Sequence, residues 1–328
     1  MNRLIRAGIV GYGQVGRGVE IALKQQRDMT LGAVFTRRRP NVIKPYFSDT
    51  VVRDYNDMAL YEDDIDVMIV CAQSKADLPE MSPHVASMFN MVDSYDIHAE
   101  IVEHLDAVDA AAEKGGKTAI IGVGWDPGIF SMQRLLGEVL LPNGQTDTFW
   151  GEGLSQGHTA AVKDVAGVTD AVQYTIPNQD ALEAARSGRK LSFNATERHE
   201  RMCYVVADNP SEEKRIAHEI KTMPHYFADY RTTVHFISLD ELRTNHHQKK
   251  HGGHVIRSGY TEKSHHQYVE LTAKFDSNPE FTGSVMAAYA RAACLMQSNR
   301  QTGAKTVFDI PLTYLTSRPI RDVIREML

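Results

Sequence analysis

The sequence predicts an α/β fold, a parallel sheet covered by helices on both faces, followed by an α+β part built on an antiparallel sheet. Three observations predict it. The chain opens on a short apolar run that ends in spaced glycines and passes into helical periodicity, "IRAGIVGYGQVGRGVEIAL". Continuous apolar runs then recur in "MTLGAVF", "DDIDVMIVCA", "NMVDS" and "KTAIIGV", the texture of parallel strands buried on both faces. Toward the C-terminal half, "RMCYVVADN", "YRTTVHFISL", "GHVIRSGY" and "HQYVELTAKFD" alternate apolar and polar residues at period two, as antiparallel strands do.

The first run, Leu4 to Val10, reads as a strand, and Gly11, Gly13 and Gly16 open a helix through Val19, Glu20 and Leu23. In a unit of this order the first glycine permits the turn, the second admits a pyrophosphate to the backbone, and the third lets helix pack on strand. The helix N-terminus faces the anion. A bare strand-to-helix turn also accounts for glycines alone, but their place directly after a clean strand predicts a Rossmann-type dinucleotide-binding domain. The second strand, Met29 to Phe35, ends where an acidic residue would bond the ribose 2′-hydroxyl of NAD. Thr36, Arg37, Arg38 and Arg39 stand there instead. A hydroxyl and fixed guanidinium forks suit the 2′-phosphate of NADP, against the alternative of a solvated basic turn.

A chain of 328 residues exceeds one ordinary core, so two or more domains are expected. The reading assigns residues 1–150 to dinucleotide binding, 151–280 to a dimerisation and substrate domain, and 281–328 to a C-terminal segment that packs back toward the nucleotide domain. Helices are expected around His98 to Lys114, Ser211 to Thr222 and Phe281 to Met296, with a short one at the end. The stretch after Leu141, "LPNGQTDTFWGEGLSQGHTAAVKDV", reads as loop and turn. The formal net charge of −6 invites neither nucleic acid nor an anionic membrane as partner. No signal-peptide pattern or transmembrane stretch is apparent. Cys71, Cys203 and Cys294 are odd in number and far apart, which suits reduced structural thiols in a cytoplasmic protein.

Ligands of such sheets bind beyond the carboxyl ends of the strands, so the residues collected there are Cys71 to Ser74, then Ser94, Tyr95 and Asp96, then Trp125, Asp126 and Pro127. Asp126 before Pro127 suits a helix cap with proline at the first helical position. It equally suits a carboxylate beside a flat apolar wall, where a nicotinamide meets an ammonium. Asp96 stands in the same position relative to the helix that follows it. Histidines crowd one region, as His246/His247, His265/His266 and "HGGHV" at His251 and His254. The absence of a zinc-type cysteine pair or HExxH argues against a metal. A solvated, lysine-rich loop is the simpler account, within which His251, followed by two glycines, would reach a substrate carboxylate.

The motifs "GYGQVGR", "FTRRRP", "DSYDIH", "GWDPGIFS", "FWGEGLSQGH", "AVQYTIP", "HGGHV" and "NPEFT", in this order over most of the chain, resemble the diaminopimelate dehydrogenase family. The resemblance implies a homodimeric enzyme that reversibly deaminates the D-centre of meso-2,6-diaminopimelate to L-2-amino-6-oxopimelate and ammonia with NADP, in lysine and peptidoglycan precursor synthesis. By motif it places the cofactor on Tyr12, Gly13, Gln14 and Val15, on Thr36, Arg37 and Arg38, and on Cys71, Ala72, Gln73 and Ser74. It extends the same site to Ser94, Tyr95 and Asp96 and to Val123, Gly124, Trp125, Asp126 and Pro127. Substrate contacts carried over are Asp96, Asp126, Trp150, Gln156, Gly157, Thr175, Arg201, His251 and Asn278. Carboxylates suit ammonium groups, and Thr175, Arg201 and His251 are donors for a distal carboxylate; Arg198 is a rival to Arg201. Asp96 and Asp126 are the candidate bases, with their roles interchangeable at this stage. Another NADP-linked enzyme of lysine or aspartate metabolism, or a non-catalytic NADP-binding redox sensor, remains the alternative.

Overall fold

In the computed structural model, strand β1 (Ile5–Val10) is followed by β2 (Met29–Thr36), β3 (Val52–Asp54), β4 (Val67–Val70), β5 (Asn90–Asp93) and β6 (Thr118–Ile120). The described residues are 3–189, 193–224, 226–246 and 250–328. These six strands and a last one, Gly303–Lys305, form one sheet in the order Gly303–Lys305, β6, β5, β4, β1, β2, β3, with every neighbouring pair parallel. That is the order of a doubly wound dinucleotide-binding sheet with one strand added.

The apolar runs produce it because alternate residues serve opposite faces. On β4, Val67 and Ile69 enter a core with Met286, Tyr289 and Ala293 of the helix Asn278–Ser298, while Met68 and Val70 enter another with Leu78, Val85 and Val108. All four side chains are fully buried, and at roughly 1.5–3 kcal/mol per large apolar side chain this burial fixes the strand's place in the sheet.

The chain divides into two units, Met1–Met132 with Pro279–Leu328, and Gln133–Asn278. The sequence reading drew the first boundary at residue 150; the structure draws it inside the helix Ile129–Leu140. The stretch after Leu141 is also more regular than the loop expected of it. It holds β7 (Gly144–Trp150), β8 (Gly153–Leu154) and the helix Gln156–Lys163. Polar residues interrupt its alternation, and β7 is nonetheless held because it pairs in register with a distant partner.

The second unit continues with β9 (Val168–Pro177), β10 (His199–Ala207), β11 (Thr232–Phe236), β12 (His251–Glu262) and β13 (His265–Phe275). The expected single antiparallel sheet is two sheets, β11-β10-β9-β8 and β13-β12-β7. One pair, β10 with β11, is parallel, because the helix Glu213–Thr222 lies between them in sequence and serves as the crossover a parallel pair requires. Its Ile216 and Ile220 pack with Cys203, Val205 and Ala171.

Candidate active site

At the carboxyl end of β1, Gly11 has φ +86°, and a Cβ there would stand 2.6 Å from the carbonyl oxygen of Cys71. A Cβ on Gly16 would meet the Gly11 carbonyl at 2.4 Å, whereas one on Gly13 would meet nothing within 4 Å. The first and third glycines are therefore needed by the fold, and the second leaves open space at the N-terminus of the helix Gln14–Gln25, which carries no side-chain cap. Exposed helix N–H groups beside an open glycine are what a pyrophosphate needs. Gln14 and Val15 begin that helix.

At the end of β2 the Arg38 guanidinium donates to the Tyr12 carbonyl, and the Arg38 N–H donates to Thr36 Oγ1 at 3.1 Å. Arg37 pairs with Asp77 at 2.5 Å and stays more than half exposed. The structure thus brings Thr36, Arg37 and Arg38 to the glycine turn with positive charge and no competing acid on the strand end itself, which fits a 2′-phosphate. The sequence reading missed Glu20, fully buried in the helix. It accepts from the hydroxyls of Tyr12 and Thr50 and from the N–H groups of Tyr46 at 2.9 Å and Phe47 at 3.2 Å. Tyr12 is held at both ends, and burial beside Glu20 pushes its phenol pKa upward.

Asp96 is exposed, and its N–H donates to Ser74 Oγ at 3.3 Å, joining the turns after β4 and β5. The short helical turn His98–Glu100 is capped by Ile97 and the following helix, Ile101–Gly115, by Glu100, neither with a side-chain bond. Asp96 is therefore not a cap. Nor does Pro127 open a helix, since Ile129–Leu140 starts two residues later. Asp126 and Pro127 instead form the tip of a tight turn closed by pairing of Trp125 with Gly128. Gly128 has φ +130°, and a Cβ there would lie 1.8 Å from the Gly124 oxygen, so the "GWDPG" spacing is a backbone requirement that leaves the half-buried Asp126 beside Trp125. The indole is buried with Phe130 edge-on at 5.2 Å.

Cys71 lies at this edge, its thiol pushed up by burial. Burial likewise raises Cys203 and Cys294 to about 12, so all three are protonated thiols and poor nucleophiles.

In the second unit, Thr175 on β9 lies directly opposite Arg201 on β10, and Gly153 of β8 opposite Thr175. A Cβ on Gly153 would stand 2.5 Å from the His251 ring, so His251, Gly153, Thr175 and Arg201 run in one row. Arg201 donates from Nη1 to Thr175 Oγ1 at 2.5 Å and stacks over the Tyr230 ring at 4.1 Å. It is 8% exposed, its Nε has no hydrogen-bond partner, and burial lowers its pKa. The rival Arg198 is instead paired with Asp147 at 2.8 Å.

Trp150 ends β7, and Asn278 begins the helix Asn278–Ser298. Gln156 and Gly157 open the helix Gln156–Lys163; their side chains lie outside what is described.

His199 is a further residue that sequence reasoning missed. Its Nε2 accepts the Trp150 N–H at 2.8 Å while its ring stacks on the indole at 5.5 Å. Burial, with Arg201 and Arg198 nearby, lowers its pKa to about 4. Burial and Arg201 likewise take His158 to about 4. Both rings are neutral near neutrality, so the guanidinium supplies the local charge. The crowded histidines elsewhere divide among separate partners: His246 bonds Tyr174, His254 bonds Glu270 and His266 bonds Ser258. His247 lies outside the described residues. "HGGHV" belongs to β12 rather than to a loop. Gly252 is required there because a Cβ would meet the Ala273 oxygen at 2.2 Å.

Residues 124–277 match the family model described as Diaminopimelic acid dehydrogenase C-terminal domain. The chain is 52% identical over 324 residues to the meso-diaminopimelate D-dehydrogenase of Ureibacillus thermosphaericus, covering 99% of both. Among solved structures, Corynebacterium glutamicum DAP dehydrogenase in complex with DAP is 40% identical with a TM-score of 0.86 and 99% of each chain covered. An engineered D-amino acid dehydrogenase bound to NADP+ is 38% identical with a TM-score of 0.82, covering 99% of this chain and 100% of its own.

Proposed function

The chain belongs to the diaminopimelate dehydrogenase family, and we propose that it oxidises the D-centre of meso-2,6-diaminopimelate with NADP, giving L-2-amino-6-oxopimelate and ammonia within lysine and peptidoglycan precursor synthesis. One observation carries the substrate assignment: Arg201 is buried, its Nε lacks a partner, and among the described residues it bonds only the neutral Thr175 and Tyr230. A buried cation without a counter-ion is costly, and a substrate carboxylate is the anion that completes it.

Gly11 to Gly16 and Thr36 to Arg38 would hold NADP, which when bound would supply the hydride acceptor for the D-configured carbon. The residues of this chain bind, orient and move protons. Arg201, Thr175 and His251 grip the distal L-configured end. The tautomer of His251 that accepts the Gly252 N–H on Nδ1, at 2.8 Å, carries its proton on Nε2, where it serves as a donor. We assign the proton transfers at the reacting end to Asp96 and Asp126. One takes a proton from the substrate ammonium as the carbon–nitrogen bond becomes an imine, and one activates the water that attacks that carbon and releases ammonia. Trp125 supplies the apolar wall beside Asp126.

We place the enzyme in the cytoplasm, where the free thiols of Cys71, Cys203 and Cys294 stay reduced; no helix among the described residues is long and apolar enough to cross a membrane. It works as a homodimer. The exposed apolar residues Leu135, Leu136, Val139 and Leu140, on the part of the helix Ile129–Leu140 that belongs to the second unit, support this, since such exposed apolar patches mark contact surfaces.

Initial rates with the three purified diaminopimelate isomers test the assignment. The meso isomer turns over; the LL isomer has no D-centre, and the DD isomer presents the wrong hand to the clamp. Comparable rates with LL and meso would overturn it. NADPH binding without turnover of any amino acid would favour the redox sensor.

A further inference from the structure

We infer that Asp93, with His104, is a positioning residue that holds both proton-handling carboxylates in place for catalysis. The inference rests on the proposed roles of Asp96 and Asp126. Asp93 is the last residue of β5 and is fully buried. Its Oδ1 accepts the N–H of Tyr95 at 3.1 Å, in its own strand-end turn, and that of Gly122 at 3.0 Å, in the turn after β6. Its carbonyl accepts the Val123 N–H at 2.8 Å. Its Oδ2 meets His104 Nε2 at 2.8 Å, on the helix Ile101–Gly115.

These bonds link the two segments that carry the candidate bases. Asp96 follows Tyr95 directly and Asp126 lies in the turn that Gly122 begins. Gly122 has φ +63°, so its N–H is presented by a backbone conformation that a side chain would disfavour. The His104 ring stacks on the Tyr95 ring, with centroids 3.9 Å apart and planes 8° from parallel. Imidazole and carboxylate together thus brace the turn from two sides. The Asp96 bond to Ser74 extends the brace to the turn after β4.

A carboxylate suits this position because one oxygen accepts two N–H groups while the other takes the imidazole N–H. Loss of Asp93 would leave these donors without partners and free two turns whose acids must meet the reacting carbon and nitrogen together. A misplacement of about 1 Å at such a step costs on the order of 100-fold.

The test compares Asp93→Ala with Asp93→Asn in the full-length enzyme with meso-diaminopimelate and NADP. Asparagine keeps the oxygen that accepts from Tyr95 and Gly122. The expected result is a kcat about 100-fold lower for Asp93→Ala, with the KM for NADP within about threefold, and a kcat within about fivefold of the parent for Asp93→Asn. Kinetics are expressed per folded enzyme, measured by cooperative melting and NADPH fluorescence. A folded Asp93→Ala enzyme with near-parental kcat overturns the inference, as does an Asp93→Asn enzyme as impaired as the alanine variant.

Should Asp93→Ala fail to fold, His104 carries the same test without touching the carboxylate. His104→Gln retains a donor for Oδ2 and is expected to keep its kcat, whereas His104→Leu is expected to lose about tenfold in kcat. Equal kcat values for the two overturn the inference. Full activity of both Asp96→Asn and Asp126→Asn would instead defeat the roles given to the bases, a separate outcome from intact activity in the Asp93 or His104 variants.

Discussion

Replacing Arg201 by methionine separates its function from any structural duty, because the two predict opposite changes. Methionine is long, unbranched and apolar, and fills an irregular space without introducing a charge. In the ligand-free protein the substitution removes a stack on Tyr230, a bond to Thr175 and a buried guanidinium whose Nε has no partner. The lost contacts are worth about 1–2 kcal/mol together, and relief of the uncompensated charge offsets them.

The ligand-free melting temperature is therefore expected to stay within a few degrees of the parent. Substrate binding should change far more. Two charge-assisted bonds to a carboxylate contribute about 3–5 kcal/mol, so the KM for meso-diaminopimelate should rise by roughly 10²- to 10⁴-fold, while the KM for NADP stays near the parental value. Steady-state rates at saturating NADP and a ligand-free melt measure both. A protein that melts many degrees lower and retains its substrate KM would refute the reasoning and make Arg201 a structural residue.

Replacing both Arg37 and Arg38 by alanine should weaken NADP by about 2–4 kcal/mol relative to NAD; equal losses with the two cofactors, measured by fluorescence titration, would show the run to be a solvated turn. Asp96→Asn and Asp126→Asn should each lower kcat/KM steeply with little change in melting temperature, since neither caps a helix; a destabilised but fully active variant would contradict this. His199 has its pKa lowered from 6.5 to about 4, so the unfolded chain binds its proton first, and the stability is present above the unfolded pKa and lost as pH falls from 6.5 toward 4. By about pH 5 the loss amounts to about 2 kcal/mol, and the denaturant midpoint of the parent should drop more between neutral pH and pH 5 than that of His199→Asn. Introducing glutamate at Leu136 and Val139 should yield monomers by light scattering; an unchanged oligomer would place any dimer contact elsewhere.

The cofactor edge is legible in the sequence because its signals are local. Gly11, Gly13 and Gly16 act on a single turn and the Gly16 constraint comes from Gly11 itself, while the arginines follow their strand directly. Even there Glu20 escapes notice, since its role depends on Tyr46, Phe47 and Thr50 coming back to it in space. The second unit is less legible for the same reason. Thr175 and Arg201 meet only because β9 and β10 pair in one register, and a slip of one strand by one residue would put the two side chains on opposite faces. Nothing near either residue in sequence encodes that register, so family resemblance rather than residue chemistry brought them to attention. His199 has no local signal at all: what makes it notable is the Trp150 N–H, contributed from another strand. The unit boundary is hidden differently. It falls inside the helix Ile129–Leu140, where an unbroken amphipathic pattern continues across the division, and composition marks a boundary only where the chain leaves regular structure to cross it.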